Sequence, residues 1–465
     1  MGDLIGGKTA ATPHRNPPGS WAPARRFARR ALAPVEKFLA IETSSGVLLL
    51  ASALVALIWA NSPWRELYRA LWHTPLALRA GPLSFECDLH FLINEGLMTV
   101  FFFVVGLEIR AEMHHGQLSS LRRAALPLAA AIGGMMIPAG IFAAVNLGEA
   151  SAKGWGIPMA TDIAFAVGVL TLLGRRVPPA LRVLLLALAV IDDIGAIVVI
   201  AIFYSSGLVP VGLVGVGVGL CAILVMRMLG VRAPWAYVPP AVVTWSGAYV
   251  TGIHPTLAGV IVGLLTPVRP WFGREKLVQQ VAGSIDSIRA PSEREERRLL
   301  PEVARIEEAT REALSPVQRI QSALHGWVAF GVMPLFALAN AGVGLGDASL
   351  SGQSLLVFLG ASLGLVVGKP VGVLTFSWLA TRLRVAELPP GVTWPHMAVL
   401  GVVAGIGFTM SIFISALAFA DGANLETSKI AILIASGVAA SLAYGTGRVV
   451  FRSKAREADA PADAR

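Results

Sequence analysis

Charge is what this sequence has least of. Only 14% of its 465 residues are charged, whereas a water-soluble domain carries roughly 25%, so there is too little charge to cover a surface that faces water. Cysteine is scarce as well. The two present, Cys87 in a loop and Cys221 in an apolar run, exclude a disulfide framework. Period-two alternation of apolar and polar residues is absent, which removes the closed β-barrel, the only alternative to helices for a backbone in hydrocarbon. What the chain does have is apolar residues (55% of the total) gathered into long runs such as Val47–Ala60, Ala124–Val145 and Ala431–Ala443. Runs approaching about 20 residues read as helices that cross a bilayer.

The formal net charge is +9, and its placement decides what it means. Lys and Arg concentrate in alternate loops: Arg25–Lys37, Arg110–Arg123, Arg175–Arg182, Arg227–Arg232, Arg269–Arg319, Arg382–Arg384 and Arg448–Arg456. The intervening loops, near Lys153, Ser205–Gly207, Gly252–Pro255, Gly346–Gly352 and Asp421–Lys429, are short or nearly neutral. This alternation is the positive-inside pattern. It predicts an all-α polytopic membrane protein of about twelve transmembrane helices with both termini cytoplasmic. The charge therefore reports topology, and no nucleic-acid partner is expected.

Residues 41–450 are predicted to form the transmembrane domain, flanked by a basic, Pro-rich tail over 1–40 and a second cytoplasmic tail over 451–465. The composition of the first tail suits a solvated, disordered segment better than a targeting signal, despite the paired arginines Arg25–Arg26 and Arg29–Arg30. The longest outer loop, Asn61–Asp88, contains the turn Arg79-Ala80-Gly81-Pro82 and reads either as a hairpin on the membrane surface or as an irregular loop. Pro270–Leu324 is charged on both signs and is predicted to be a cytoplasmic insertion between the eighth and ninth spans. Within it, Ala304–Leu314 has the Glu/Arg spacing of an exposed helix.

A charge near the middle of a span costs about 2.5–3.5 kcal/mol even on the lenient insertion scale, so buried ionisable residues mark function. Four stand out: Asp162, the adjacent pair Asp192 and Asp193, and Lys369. Consecutive helical residues point about 100° apart, so Asp192 and Asp193 cannot share one partner. One can face Lys369 while the other faces Asp162. Two adjacent mid-membrane carboxylates are a costly way to join helices but a suitable way to exchange ions. Burial and mutual repulsion favour proton binding, and a small hard cation seeks the same oxygens, with Thr161 and freed backbone carbonyls supplying more. Proton and cation then compete for one site, and Lys369 neutralises a carboxylate when the cation is absent.

Breaker residues coincide with these charges. Gly154-Trp155-Gly156-Ile157-Pro158 precedes Asp162, and Ala404-Gly405-Ile406-Gly407-Phe408-Thr409 interrupts the eleventh span. Interrupted apolar segments in corresponding positions of two halves point to a transporter binding site between inverted repeats, here spans three to five and ten to twelve. The ends of half-helices carry partial charges, which Asp162 and Lys369 are placed to balance.

At these positions the chain resembles the NhaA family of bacterial Na⁺/H⁺ antiporters. The matching motifs are Ala160-Thr161-Asp162-Ile163-Ala164-Phe165, Ile191-Asp192-Asp193-Ile194-Gly195-Ala196, Gly368-Lys369-Pro370 and Gly405-Ile406-Gly407-Phe408-Thr409-Met410-Ser411-Ile412-Phe413. Phe102–Glu108 and Phe336–Val343 match as well, and the likeness runs over roughly residues 35–450. The resemblance implies two discontinuous crossing helices, with Gly405, Gly407 and Thr409 at one break and Thr161 at the other. It implies transient binding of Na⁺ or Li⁺ by Asp162 and Asp193, a bridge from Asp192 to Lys369, and electrogenic transport activated at alkaline pH. It also implies a pH response involving Glu108, Glu112 and His254, a homodimer formed through the outer loop, and location in the bacterial inner membrane. No cofactor beyond the transported Na⁺, Li⁺ and H⁺ is expected.

Two departures from the family pattern bear on the pH response: the length of the Pro270–Leu324 insertion, and Gln321 where a glutamate is expected. For His254 an ordinary helix-end role stays open, as does a solvated helix end for Glu108 and Glu112. An intramembrane aspartyl protease would need Tyr-Asp and Gly-x-Gly-Asp motifs, which the aspartate segments lack, so no enzyme is expected. The alternative is a cation-coupled organic-solute symporter on the same fold. It would want a roomier cavity rich in hydrogen-bonding groups.

Overall fold

Helices apolar on every side form wherever the long runs predict them, because in hydrocarbon each backbone group must bond within its own segment. The computed structural model describes residues 43–80, 83–205, 207, 209–270, 272–289, 295–346, 351–419 and 422–458. The tail over 1–40 and the end of the tail over 451–465 lie outside the described residues. In chain order the helices begin with α1 (Thr43–Ala60) and α2 (Arg65–Trp72). A hairpin follows, β1 (Pro75–Ala80) with β2 (Leu83–Asp88), then α3 (Leu89–His115) and α4 (Leu121–Val145). The 3₁₀ segment α5 (Ala150–Met159) leads into α6 (Ile163–Leu172), α7 (Pro179–Phe203), α8 (Pro210–Met228), α9 (Val238–Thr251) and α10 (Thr256–Leu265). A charged pair, α11 (Arg274–Arg289) and α12 (Glu295–Ala313), precedes α13 (Pro316–Asn340) and α14 (Gly352–Arg382). The chain closes with α15 (Trp394–Ala404), α16 (Phe408–Ala418) and α17 (Ala423–Ala458).

Among the described residues, seven helices are individually long and apolar enough to cross a membrane, and ten segments are if each bent pair counts once. The remaining two of the twelve expected segments are α9 and α10. Their 14 and 10 residues rise about 21 and 15 Å, short of a hydrocarbon core about 30 Å thick. They are cut short by Gly252, whose φ of +87° ends α9, and by Pro255 just before α10.

Close backbone approach fixes how the helices run. A Cβ on Gly372 would lie 2.0 Å from the Gly133 carbonyl oxygen, and one on Gly133 would lie 2.2 Å from that of Gly372. Further along, Gly364 and Gly368 meet Pro138, and Gly360 meets Phe142, so α4 and α14 pack antiparallel. By the same reading Gly259 abuts Thr99 and Gly263 abuts Gly106, so α3 and α10 run parallel. The share of buried residues falls from 61% in α7 to 17% in α8. The helix that carries Asp192 and Asp193 is therefore the core of the molecule, and α8 lies on its periphery.

The outer loop resolves into a helix and a hairpin. β1 and β2 pair antiparallel from Pro75 opposite Asp88 to Ala80 opposite Leu83; the two turn residues, 81 and 82, lie outside the described residues. Asp88 then caps α3, accepting from Phe91 N–H at 2.7 Å and pairing with His73 at 3.0 Å. The described part of the insertion is helical, as α11 and α12, and α13 begins at Pro316 under a Ser315 cap, so residues 316–324 belong to α13.

Candidate functional site

Two helix pairs break at matching places. α5 and α6 meet at 45° across Ala160-Thr161-Asp162, and α15 and α16 meet at 46° across Gly405-Ile406-Gly407. The two breaks cross and bond to each other. Asp162 N–H donates to the Ile406 carbonyl at 2.7 Å, and the Thr161 hydroxyl lies 2.9 Å from the Ala404 carbonyl. Ser411 Oγ donates to the Ile157 carbonyl at 2.8 Å, tying α16 to α5. Groups that a continuous helix would satisfy internally are thus satisfied across the crossing, as irregular backbone at membrane depth requires.

The ionisable residues occupy opposite poles of this crossing. Asp162 is the N-cap of α6, accepting from Phe165 N–H at 3.0 Å. Its other oxygen accepts from Thr409 N–H at 3.2 Å and from the Thr409 hydroxyl. One carboxylate therefore sits at two helix N-termini, each worth roughly half a positive charge. Lys369, on α14, is at the negative pole. Its ammonium donates to the Met159 carbonyl, at the C-terminal end of α5, and pairs with Asp192 Oδ2 at 2.8 Å. The Thr161 hydroxyl is 2.7 Å from the same Asp192 oxygen, so its single proton serves Asp192 and Ala404 alike.

Asp162, Asp192, Asp193, Thr161, Lys369 and Thr409 are each at most 1% exposed. Among the described residues, Oδ1 of Asp192 and Oδ1 of Asp193 are buried without a hydrogen-bond partner. Unpaired carboxylate oxygens in a dry interior are costly, and they are the atoms a proton or a hard cation would satisfy. Asp192 is held by the lysine, whereas Asp193 makes no ion pair among the described residues, so the two adjacent carboxylates do not share the lysine.

The residues grouped for the pH response separate. Glu108 and Glu112 lie near the C-terminal end of α3, where Gln321 Nε2 reaches Glu108 at 3.4 Å. Glu112 turns back to accept from Gln117 N–H at 3.1 Å. His254 lies at the other end of the molecule. It is 3.9 Å from Glu95 and 2.9 Å from the Tyr204 carbonyl. Glu95 and Glu108 are 13 residues apart on one helix, a rise of about 20 Å, so the three do not form one cluster. Tyr204 in turn bonds Lys153 O at 2.8 Å and Gly156 N–H at 3.2 Å, linking His254 to the broken segment α5.

Several participants were not singled out from the sequence. The carbonyls of Met159, Ala404 and Ile406 carry no side-chain signal, and the breaker residues show only that some carbonyls are freed. Ser411 lay within a recognised motif. Ser436, whose hydroxyl accepts from Phe408 N–H at 3.1 Å, is one serine among many in an apolar run.

Comparison with known proteins identifies the family. The family model described as Na⁺/H⁺ antiporter 1 matches residues 36–446. The Na⁺/H⁺ antiporter NhaA 2 of Myxococcus xanthus is 53% identical over 442 residues, covering 95% of this chain and 94% of that protein. The protein of the same name from Sorangium cellulosum is 53% identical over 439 residues, 94% of each chain. The Na⁺/H⁺ antiporter NhaA of Bordetella petrii is 47% identical over 448 residues, 95% of this chain and 96% of that one. By the extent of the family match and by these identities, the chain belongs to the Na⁺/H⁺ antiporter 1 family.

Proposed function

We propose that the chain exchanges Na⁺ or Li⁺ for protons across the bacterial inner membrane, electrogenically and with activation at alkaline pH. The observation that carries this is the pair of partnerless carboxylate oxygens of Asp192 and Asp193 beside the crossing of two broken helices. Asp193 and Asp162 supply the oxygens for which cation and proton compete. When they are empty of cation, the N-termini of α6 and α16 hold the Asp162 carboxylate, and Lys369 neutralises Asp192. Cation binding displaces protons, and the loaded site opens to the opposite side. The chain acts as a transporter and not as an enzyme, and it needs no cofactor. Glu108, Glu112 and His254 tune the pH response, now as two separate groups at opposite ends.

Two observations support the twelve-span topology with cytoplasmic termini. Strict alternation of direction from α3 through α10 requires α9 and α10 to cross despite their length, and it makes α3 and α10 parallel, as the glycine contacts have them. Two surface cavities also sort the loops by end. One is lined from Ala60–His73, His90, Ala339–Gly344 and Gly422–Lys429, the other from Gln117–Pro127, Ala180–Leu184 and Arg384–Pro390. The first set comprises expected outer loops and the second basic inner ones. Dimerisation runs through the hairpin Pro75–Asp88 in the outer loop.

The test is Asp193→Asn assayed in membrane vesicles. Sodium-driven proton release should vanish while the protein stays at parental abundance in the membrane. Normal exchange by that variant would remove Asp193 from the site.

A further inference from the structure

The cavity at the basic end of the molecule shares no lining residue with the carboxylate site. It has a volume of about 600 Å³ and sits between the starts of α4 and α7 and the connection from α14 to α15. Arg122, Arg123 and Arg384 line it together with one acid, Glu387, so its charged side chains sum to +2 (three arginines less one glutamate). Arg122 and Glu387 approach to only 3.8 Å and both are largely in solvent, a pair that holds neither tightly. Apart from Gln117 the remaining wall is apolar, with Leu126, Pro127, Val183, Leu184, Val385 and Leu388 among its residues. Val385 in this wall is exposed, as are Leu121 and Leu383, the chain neighbours of Arg122 and Arg384.

The backbone is specialised here. Arg384, with φ of +58°, is the one non-glycine residue of positive φ among the described residues. It closes the end of α14, with Arg384 N–H donating to Thr381 O and Val385 N–H to Ala380 O. Such helix ends are ordinarily built with glycine. A glycine would ease the backbone but would bring no charge to the cavity.

We propose that this cavity binds the headgroup of an anionic phospholipid. Arginines at the water interface meet the phosphate, which guanidinium groups recognise bidentately, and the apolar rim receives the start of the acyl chains. Basic pockets between helices at a membrane surface have this ligand chemistry. Charge complementarity and the apolar wall beside the arginines favour a lipid over a soluble anion.

The experiment is native mass spectrometry of the purified full chain, titrated with phosphatidylglycerol and, as the zwitterionic control, phosphatidylcholine. Parental protein should retain one tightly held phosphatidylglycerol above the background seen with phosphatidylcholine. The variant Arg122→Gln/Arg123→Gln should lose that equivalent, with affinity down at least ten-fold. Arg384→Gly, which removes charge while relieving the backbone, should also lose it and yet unfold at an equal or higher temperature than the parent, so a folding defect cannot mimic the result. Equal retention of phosphatidylglycerol by the parent and both variants would overturn the proposal. So would equally strong displacement of the lipid by inorganic phosphate, which would make the cavity a soluble-anion site.

Discussion

Asp192 and Asp193 are neighbours in the chain with different company. Oδ2 of the first is clamped by Lys369 and Thr161, a clamp the second lacks among the described residues, while each has an Oδ1 with no partner. Each therefore has its own expected phenotype. Asp192→Asn leaves the Lys369 ammonium buried against a carbonyl without its paired carboxylate, and breaking a buried pair costs about 3–5 kcal/mol. Its unfolding midpoint in detergent should fall well below that of the parent, and adding Lys369→Met should restore most of the loss. A single variant as stable as the parent would show that the pair does not bear on stability. Thr409→Val removes the hydroxyl that meets Asp162 but keeps the N–H contact. A hydrogen bond to a charged group is worth about 1.5–3 kcal/mol, so the apparent KM for Na⁺ should rise roughly ten-fold or more, measured as the sodium dependence of exchange. The four charged residues were legible in the sequence because a mid-membrane charge is too costly to be incidental. The carbonyls of Met159, Ala404 and Ile406 were not, since every residue has one and only the crossing determines which of them are left over.

At the scale of elements, the molecule depends on helices that approach closely enough to leave no room for a side chain. Gly372→Val places a branched side chain against the Gly133 backbone, which cannot move aside, and overpacking of this kind costs at least about 1–3 kcal/mol. The variant should be recovered poorly as folded protein by size-exclusion chromatography, whereas Gly437→Val, whose Cβ meets nothing within 4 Å, should be recovered as well as the parent. The hairpin makes a different demand. Partial burial works against the Asp88 carboxylate, yet the Phe91 N–H and His73 outweigh it and hold its pKa below the usual value. A lowered native pKa stabilises fully at neutral pH, and the contribution is lost as pH falls through that native value. Asp88→Ala should thus lower stability by about 0.5–2 kcal/mol at neutral pH, with a smaller difference from the parent in strong acid, seen in unfolding midpoints across pH. The broken helices could be anticipated from breakers that coincide with charges. The strand pairing could not, because turn residues mark a reversal without fixing what pairs on either side.

For the molecule as a whole, the long apolar runs made the all-α polytopic class readable, while the number of spans and the side of each loop belong to the proposal. By length α9 and α10 fall short of a span, and the parallel packing of α10 on α3 is what bears on their place in the alternation. The resemblance assigned Glu108, Glu112 and His254 to one pH response, and the packing, like the loop pattern, sets the histidine at the opposite end of α3 from the two glutamates. The proposed dimer can be tested at this scale. Thr74 O accepts from Leu89 N–H at 3.3 Å, so the hairpin leaves and returns at one point and can be replaced by a short Gly-Ser link without strain. That protein should run as a monomer by light scattering while retaining exchange; an unchanged mass would place the dimer contact elsewhere.

The central claim, cation–proton exchange at a buried carboxylate site, is tested most directly in everted membrane vesicles free of other antiporters. An imposed proton gradient is followed while NaCl, LiCl or KCl is added at a series of pH values from mildly acidic to alkaline. The account predicts that Na⁺ and Li⁺ dissipate the gradient, that K⁺ does not, and that the response grows with pH. No response to any cation at any pH, with the protein present in the membrane, would contradict it.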